Sequence, residues 1–161
     1  MTNIRRYSEE NAAYFVTTIT KNRAVVFKDP KYCRILLITI EYFKIIFEYS
    51  ILGYCMMPDH VHLIIRPSKK FSLSYVMQMI KGSFTRKINK LNNNDGHLWQ
   101  RRFYDQMIMN NRQLLNQLDY IHNNPVKDGL ATVPCDYPFS SYQQYHEESP
   151  SGVILEIDRL F

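Results

Sequence analysis

The stretch MMPDHVHLIIRP, Met56 to Pro67, places His60 and His62 one residue apart at the head of an apolar run. Histidine is costly in such a run unless its ring nitrogens find partners. In an extended segment alternate side chains share a face, so His60, His62, Ile64 and Arg66 point one way and Val61, Leu63 and Ile65 the other. The two histidine Cβ atoms then lie about 6–7 Å apart, and imidazoles leaning together from that spacing can meet at one divalent cation. Taken alone, the pair is more readily two half-exposed surface histidines, because two ligands do not make a selective metal site. A third ligand and a reacting group are required.

A later segment can supply both. Beyond Asn110, Leu114, Leu118 and Ile121 form an apolar helical stripe, while Gln113, Gln117, Tyr120 and Asn124 step by four, three and four along a separate polar face. Tyr120 and Asn124 are one turn apart. A tyrosine hydroxyl beside an amide oxygen offers a nucleophile and a metal ligand. The same two residues also fit a core-boundary tyrosine and a C-terminal Asn cap. His122 faces elsewhere on the helix, and His97 and His146 lie in polar segments.

The elements that must position these groups are legible from pattern. Ala12 to Thr20 is aromatic and β-branched, a strand. Asp29-Pro30 supplies an N-cap and a first-turn proline for a helix over Lys31 to Tyr49 with the apolar stripe Ile35, Tyr42, Phe43, Ile46. ILGYCMM and HVHLIIR form a hairpin through Pro58-Asp59. A second helix starts near Ser72 with the stripe Leu73, Val76, Ile80, Phe84, Ile88, Leu91, and NNNDG breaks it. Phe103 to Met109 reads as a strand. The third helix begins at Asn110, with Gln113 completing a capping box, and ends by Asn124 because Pro125 disfavours helix before it. This order predicts an α+β fold, the ferredoxin-like β-α-β-β-α-β antiparallel sheet with an added C-terminal helix carrying the tyrosine. No repeat or linker divides the chain, so residues 1–161 read as one domain, with an N-terminal tail at 1–11 and a wrapping tail at 126–161.

Composition bounds the partners. The chain has 161 residues and is 45% hydrophobic, enough for one cored domain. Its apolar region ILLITIEYFKIIF carries Glu41 and Lys44 and is too short to span a bilayer. No basic start, apolar run and small-residue cleavage site combine, so secretion is not expected. Three scattered cysteines without CxxC spacing fit reduced thiols in a cytoplasm. Of a net charge of +5, the segment Arg66 to Arg102 holds nine Lys or Arg against one acid, leaving eleven basic and fourteen acidic residues elsewhere. That asymmetry favours a polyanionic partner, although a lysine-rich helix with a solvated face produces it too.

Four blocks, YCMMPDHVHLIIRP, LWQRRFYDQMI, YIHNNPVKDGL and DYPFSSY, in this order, resemble the single-tyrosine HUH (His-hydrophobic-His) transposases, and within them the branch associated with repetitive extragenic palindromes (REP). The resemblance runs from about Phe15 to Tyr142. It implies a metal-dependent endonuclease and strand transferase that acts on single-stranded or hairpin DNA. It implies Tyr120 as the catalytic nucleophile, forming a 5′-phosphotyrosine bond, and His60, His62 and Asn124 as metal ligands. Classical insertion-sequence relatives commonly have glutamine where Asn124 stands. Mg²⁺ or Mn²⁺ is the expected ion, and two imidazoles lean toward Mn²⁺. Lys69, Lys70, Lys81, Arg86, Lys87, Lys90, Arg101 and Arg102 are the expected DNA-binding residues, with Trp99, Phe103 or Tyr104 available to stack unpaired bases. Dimers occur in the wider family and monomers in the REP branch, so a homodimer stays open as a partner. Two other classes fit parts of the pattern: a catalytically silent single-strand-binding module, and a phosphodiesterase that activates water. A covalent protein–DNA adduct separates both from the transposase reading.

Overall fold

The structure is a computed structural model that describes residues 11–147 and 150–159. All but the last residue of the expected N-terminal tail lies outside the described residues. The elements are β1 (Ala13–Ile19), α1 (Pro30–Phe47), β2 (Ser50–Met57), β3 (His60–Arg66), α2 (Leu73–Asn92), β4 (Tyr104–Ile108), α3 (Asn111–Lys127) and α4 (Tyr142–His146), with short 3₁₀ turns between β1 and α1 and between α3 and α4. Four antiparallel strands run in the order β2-β3-β1-β4. The expected ferredoxin-like α+β arrangement is therefore the observed one.

Local chemistry sets the boundaries. Asp29 caps α1 by accepting from the Lys31 N–H at 2.9 Å, with Pro30 in the first turn. Ser72 accepts from the Tyr75 N–H at 3.1 Å at the start of α2. Asn110 accepts from the Gln113 N–H at 2.9 Å, and Gln113 Oε1 accepts in return from the Met109 N–H at 2.8 Å. Each such cap contributes on the order of 1 kcal/mol. Pro58 and Asp59 make the two-residue turn between β2 and β3, with Met57 opposite His60.

The sheet carries two cores. On one face α1 and α2 pack over Val16, Val61, Leu63 and Ile65. On the other, α3 lays Leu114, Leu118 and Ile121 onto Ala13, Phe15, Leu52, Cys55, Met57 and Ile64. Full burial of each of those three side chains is worth about 1.5–3 kcal/mol, and this burial holds α3 to the sheet. A register shift between Ile51 and Gly53 brings Gly53 opposite Ile64 beneath the helix. A Cβ on Gly53 would stand 2.6 Å from Leu118 Cδ2 and 3.4 Å from Ile121 Cδ1. Glycine is thus the residue that lets α3 sit this close.

Three sequence expectations change. The α1 stripe is rotated: the buried face is Cys33, Leu36, Leu37, Ile40, Phe43 and Phe47, while Tyr42 and Ile46 are 57% and 46% exposed. Helix α1 is apolar on several sides, so periodicity alone left its core face ambiguous. Leu91 is exposed in the last turn of α2. Helix α3 passes through Pro125 to Lys127, and the last turn closes with Asp128 N–H to Asn124 O at 3.0 Å and Leu130 N–H to Pro125 O at 2.8 Å. A proline this near the end forfeits one intrahelical bond, to the Ile121 carbonyl, and the packed turns before it carry the helix on.

Residues 137–145 and Asp158 lie along the outer edge of β2. Phe139 O accepts from the Met56 N–H and Tyr54 O from the Ser141 N–H, each at 2.9 Å. Ser141 Oγ accepts from the Tyr54 N–H at 2.9 Å. Asp158 holds both polar groups of Ile51, accepting from its N–H and donating to its carbonyl. The Tyr137 and Tyr145 hydroxyls donate to the Met56 and Leu52 carbonyls.

Candidate active site

Strand β3 sits between β2 and β1, so its first residues are positioned from both sides. His62 is opposite Thr17 of β1 and Cys55 of β2. Strand alternation sends His60 and His62 to the α3 face, and their ring centroids are 4.7 Å apart. Each ring is held through Nδ1. Asp59 Oδ1 lies 2.6 Å from His60 Nδ1, and a carboxylate can only accept, so that nitrogen carries the proton. Thr17 Oγ1 lies 2.9 Å from His62 Nδ1. Both contacts leave Nε2 on the side of the ring away from these partners, the arrangement by which outer residues orient histidine ligands.

Asp59 is itself fixed. Its carbonyl accepts from the Thr20 N–H and hydroxyl, each at 2.9 Å. Its second carboxylate oxygen accepts from Arg23 at 3.2 Å. Partial burial raises the Asp59 pKa, but His60 and Arg23 outweigh it and hold the carboxyl below its ordinary value. Burial, with His60 nearby, pushes the His62 pKa down to about 3, so the ring is neutral near neutral pH. Asn124 faces His62 and offsets part of that shift, although neither His62 Nε2 nor Asn124 Oδ1 completes a hydrogen bond of normal geometry.

Those two atoms are the informative ones. His62 Nε2 and Asn124 Oδ1 are both buried without a hydrogen-bond partner. Leaving a buried polar atom unpaired costs about 1–3 kcal/mol, and such atoms call for an explanation. When Thr17 accepts from Nδ1, His62 Nε2 is an acceptor like Asn124 Oδ1, and two unpaired acceptors beside a second oriented imidazole suit a divalent cation. Among the described residues no group of three His, Cys, Asp or Glu could hold a metal, and beside the two histidines the Asn124 amide is an available third protein donor. The residues fit the group.

Tyr120 stands on the same side of α3. Its ring is 5.7 Å from that of His62 and 6.1 Å from that of Phe15, edge-on to both, and Phe15 stacks on His62 at 5.4 Å. Tyr120 is 48% exposed. All four residues singled out for chemistry, His60, His62, Tyr120 and Asn124, come together within one chain. Such a cluster can bind a cation against a phosphate and present a hydroxyl to phosphorus.

The eight basic residues are not brought together. Lys81, Arg86 and Arg101 line a groove between α2 and residues 97–103, and Arg102 lies exposed in that segment. Lys87 turns to α1, donating to Thr39 Oγ1 at 3.0 Å, and Lys90 is exposed one turn on from Arg86. Lys69 and Lys70 follow the far end of β3, and Lys70 pairs with Glu48 at 2.7 Å. Of the aromatics, Trp99 packs in the core against Phe27 and Phe84, whereas Tyr104 is exposed on β4.

Sequence reasoning missed Thr17, Asp59 and Phe15 as supports of the histidines. Asp59, next to His60 and read only as a turn residue, was the one with a local signal. His122 is buried, with Nε2 2.8 Å from Ser141 Oγ and its ring against Tyr142 and Tyr145. It ties α3 to the C-terminal segment.

Comparisons with known proteins agree with this geometry. A protein of Haemophilus influenzae assigned to the REP-associated tyrosine transposases is 29% identical over 157 residues, covering 89% of this chain and 87% of that one. The REP-associated tyrosine transposase of Escherichia coli K12 is 29% identical over 145 residues, covering 89% and 84%. The solved structure of a REP-associated tyrosine transposase bound to a REP hairpin superposes with a TM-score of 0.79 at 26% identity, covering 100% of this chain and 99% of that one. The family model described as "Transposase IS200 like" matches residues 8–124. The chain belongs to the IS200-like transposase family.

Proposed function

We propose that this protein is a metal-dependent endonuclease and strand transferase for hairpin-forming single-stranded DNA, with Tyr120 as nucleophile. The observation that carries the reading is the approach of the exposed Tyr120 ring to His62, beside the unpaired His62 Nε2 and Asn124 Oδ1. The likeness to a transposase solved with a REP hairpin supports hairpin DNA as the substrate.

His60, His62 and Asn124 would hold Mg²⁺ or Mn²⁺, which when bound neutralises phosphate charge and orients the scissile group. Asp59 and Thr17 keep the imidazoles turned toward that position. Phe15 supports the Tyr120 ring, limiting the rotamers from which its hydroxyl can attack. The Tyr120 oxygen bonds to phosphorus and loses its proton to solvent or a nearby base. The 3′ oxygen of the neighbouring nucleotide leaves with the electrons of its ester bond and is protonated. One phosphodiester becomes one 5′-phosphotyrosine, so the link can be reversed by an incoming 3′ hydroxyl.

The test is trapping. Wild-type chain with a hairpin oligonucleotide and Mn²⁺ should give a denaturation-resistant protein–DNA adduct mapping to Tyr120. Tyr120→Phe should form none while binding the hairpin within about twofold of wild type, since it lacks only the hydroxyl. An adduct on Tyr104 or Tyr142, or strand cleavage with no adduct, removes the assignment.

A further inference from the structure

Arg23 stands where the backbone resists it. Asn22 and Arg23 are both left-handed, with φ of 55° and 50°, a region that residues with a Cβ seldom occupy and arginine less than asparagine. Such strain persists only where the surroundings fix it. Here they do. The Lys21 N–H donates to Leu98 O at 2.9 Å, the Arg23 N–H to Thr20 O at 3.1 Å and the Ala24 N–H to Lys21 O at 3.2 Å. The Thr20 N–H donates to Asp59 O at 2.9 Å and the Phe27 N–H to Pro58 O at 3.0 Å. Residues 20–27 are thereby bound to the turn that precedes His60.

The strained turn places one side chain. Arg23 is 61% exposed and belongs to neither core. Its Nη1 donates to Asp59 Oδ2 at 3.2 Å, while the other oxygen of that carboxylate lies 2.6 Å from His60 Nδ1. A guanidinium has five N–H donors, so this contact leaves most of them for a ligand, with only the Asp59 carboxylate between the cation and His60.

Strand register gives its place relative to the nucleophile. Across β1 and β3, Phe15 is opposite Ile64, Thr17 opposite His62 and Ile19 opposite His60. Tyr120 is edge-on to Phe15 and His62, so it stands over the first two of these rows. Asp59 and Arg23 stand beyond the third, at the hairpin turn. Tyr120 and Arg23 therefore lie at opposite ends of the histidine pair. In phosphoryl transfer the attacking and leaving oxygens are roughly in line through phosphorus. A phosphate held over the histidines and attacked from the Tyr120 end expels its oxygen toward the turn.

We infer that Arg23 is a catalytic residue that stabilises the leaving 3′ oxygen. As the bond from the Tyr120 oxygen to phosphorus forms, the bond from phosphorus to the 3′ oxygen breaks, and that oxygen takes the electron pair. The free N–H groups of Arg23 meet the developing negative charge. The guanidinium keeps its own protons, and solvent protonates the oxygen. In the reverse direction the same contact stabilises the attacking 3′ oxygen. The inference rests on Tyr120 attack as proposed above and assigns the opposite side of the same reaction.

The experiment measures single-turnover adduct formation by wild type, Arg23→Met and Arg23→Lys. Two hairpin oligonucleotides are compared, one natural and one with sulfur replacing the 3′ oxygen at the bond that wild type cuts. Methionine keeps the length without the charge, and sulfur leaves as a thiolate, a far weaker base than an alkoxide. Arg23→Met should slow the natural substrate by about 10²–10³-fold, the usual cost of one such donor. It should slow the sulfur substrate by less than about threefold, and Arg23→Lys should fall between wild type and Arg23→Met on the natural one. Mn²⁺ affinity, measured calorimetrically without DNA, should stay within about threefold of wild type in both variants. Equal slowing of both substrates, or a wild-type rate in Arg23→Met, overturns the inference. A loss of Mn²⁺ affinity as large as the loss of rate also overturns it, making Arg23 a support of Asp59 alone. A wild-type chain that forms no adduct defeats the strand-transfer reading and this inference with it, an outcome distinct from an adduct whose rate ignores Arg23.

Discussion

Gly53→Ala should disable the chemistry without touching any residue that performs it. The added methyl would lie 2.6 Å from Leu118 Cδ2, with Ile121 Cδ1 at 3.4 Å and Ile64 Cδ1 at 3.5 Å. Carbon atoms prefer about 3.5–4.0 Å, so roughly 1 Å of overlap must be relieved. Leu118 is buried in the α3 core and cannot simply swing into solvent, so the relief falls on its rotamer and on the helix. Overpacking of this kind costs about 1–3 kcal/mol, against which alanine regains up to about 1 kcal/mol through the unfolded chain. We expect a net loss near 1–2 kcal/mol in urea denaturation, with the fold intact. The larger effect is positional. Tyr120 and Asn124 ride on the same helix as Leu118, and a displacement of about 1 Å can cost on the order of 100-fold in rate. Adduct formation in single turnover should fall accordingly while hairpin affinity holds. Leu118→Ala removes the clashing methyl, so the double variant should be more stable than the two single losses predict, by about 1 kcal/mol or more. Strict additivity, or a Gly53→Ala chain that forms adduct at the wild-type rate, would show that helix height over the sheet does not control the site.

Other outcomes follow from the same coordinates. His62→Ala should abolish both cleavage and Mn²⁺ binding measured calorimetrically on the protein alone; full cleavage in excess chelator refutes a metal requirement. Arg86→Ala and Arg101→Ala should each flatten the salt dependence of single-strand binding by ~0.7, whereas Lys70→Ala and Lys87→Ala, already engaged with Glu48 and Thr39, should leave the slope alone. Burial, with His146 nearby, pushes the His122 pKa down to about 4 from 6.5. A base depressed in the folded state loses stability as pH falls through 6.5, with the full penalty reached below 4, so the cost at pH 5 is roughly 2 kcal/mol. Urea midpoints at pH 7 and pH 5 should converge in His122→Gln relative to wild type, and an unchanged gap would place the acid sensitivity elsewhere.

The four residues proposed for the chemistry were readable as a cluster because short-range geometry places them in pairs. Alternation in β3 put His60 and His62 on one face, and a four-residue step put Tyr120 over Asn124. The order of elements along the chain was readable for a similar reason, since several boundaries carry a local marker such as Asp29-Pro30, Pro58-Asp59 or Asn110 with Gln113. What stayed hidden depends on register between distant strands. Thr17 supports His62 only because β1 pairs with β3 at that offset, and Gly53 lies beneath Leu118 only because of the shift at Ile51. The face of α1 was hidden because apolar residues surround it. The dispersal of the basic residues was hidden too, because Lys70 and Lys87 meet partners far away in sequence.

The segment that lines β2 carries a consequence for how the protein is made. Strand β2 lies at the margin of the sheet, and a bare margin of backbone donors and acceptors is a template for another chain. Here Phe139, Ser141 and Asp158 occupy it. From Met57 to Asp158 is about 100 residues of chain, which a ribosome adds in roughly 5–20 s at ~5–20 residues per second. Throughout that interval the hairpin can already form while the residues that will guard its outer rim do not yet exist. Nascent chains should therefore be most vulnerable to cross-pairing then, and a stall or truncation before Phe139 should yield aggregates seeded by β2 rather than a smaller working enzyme.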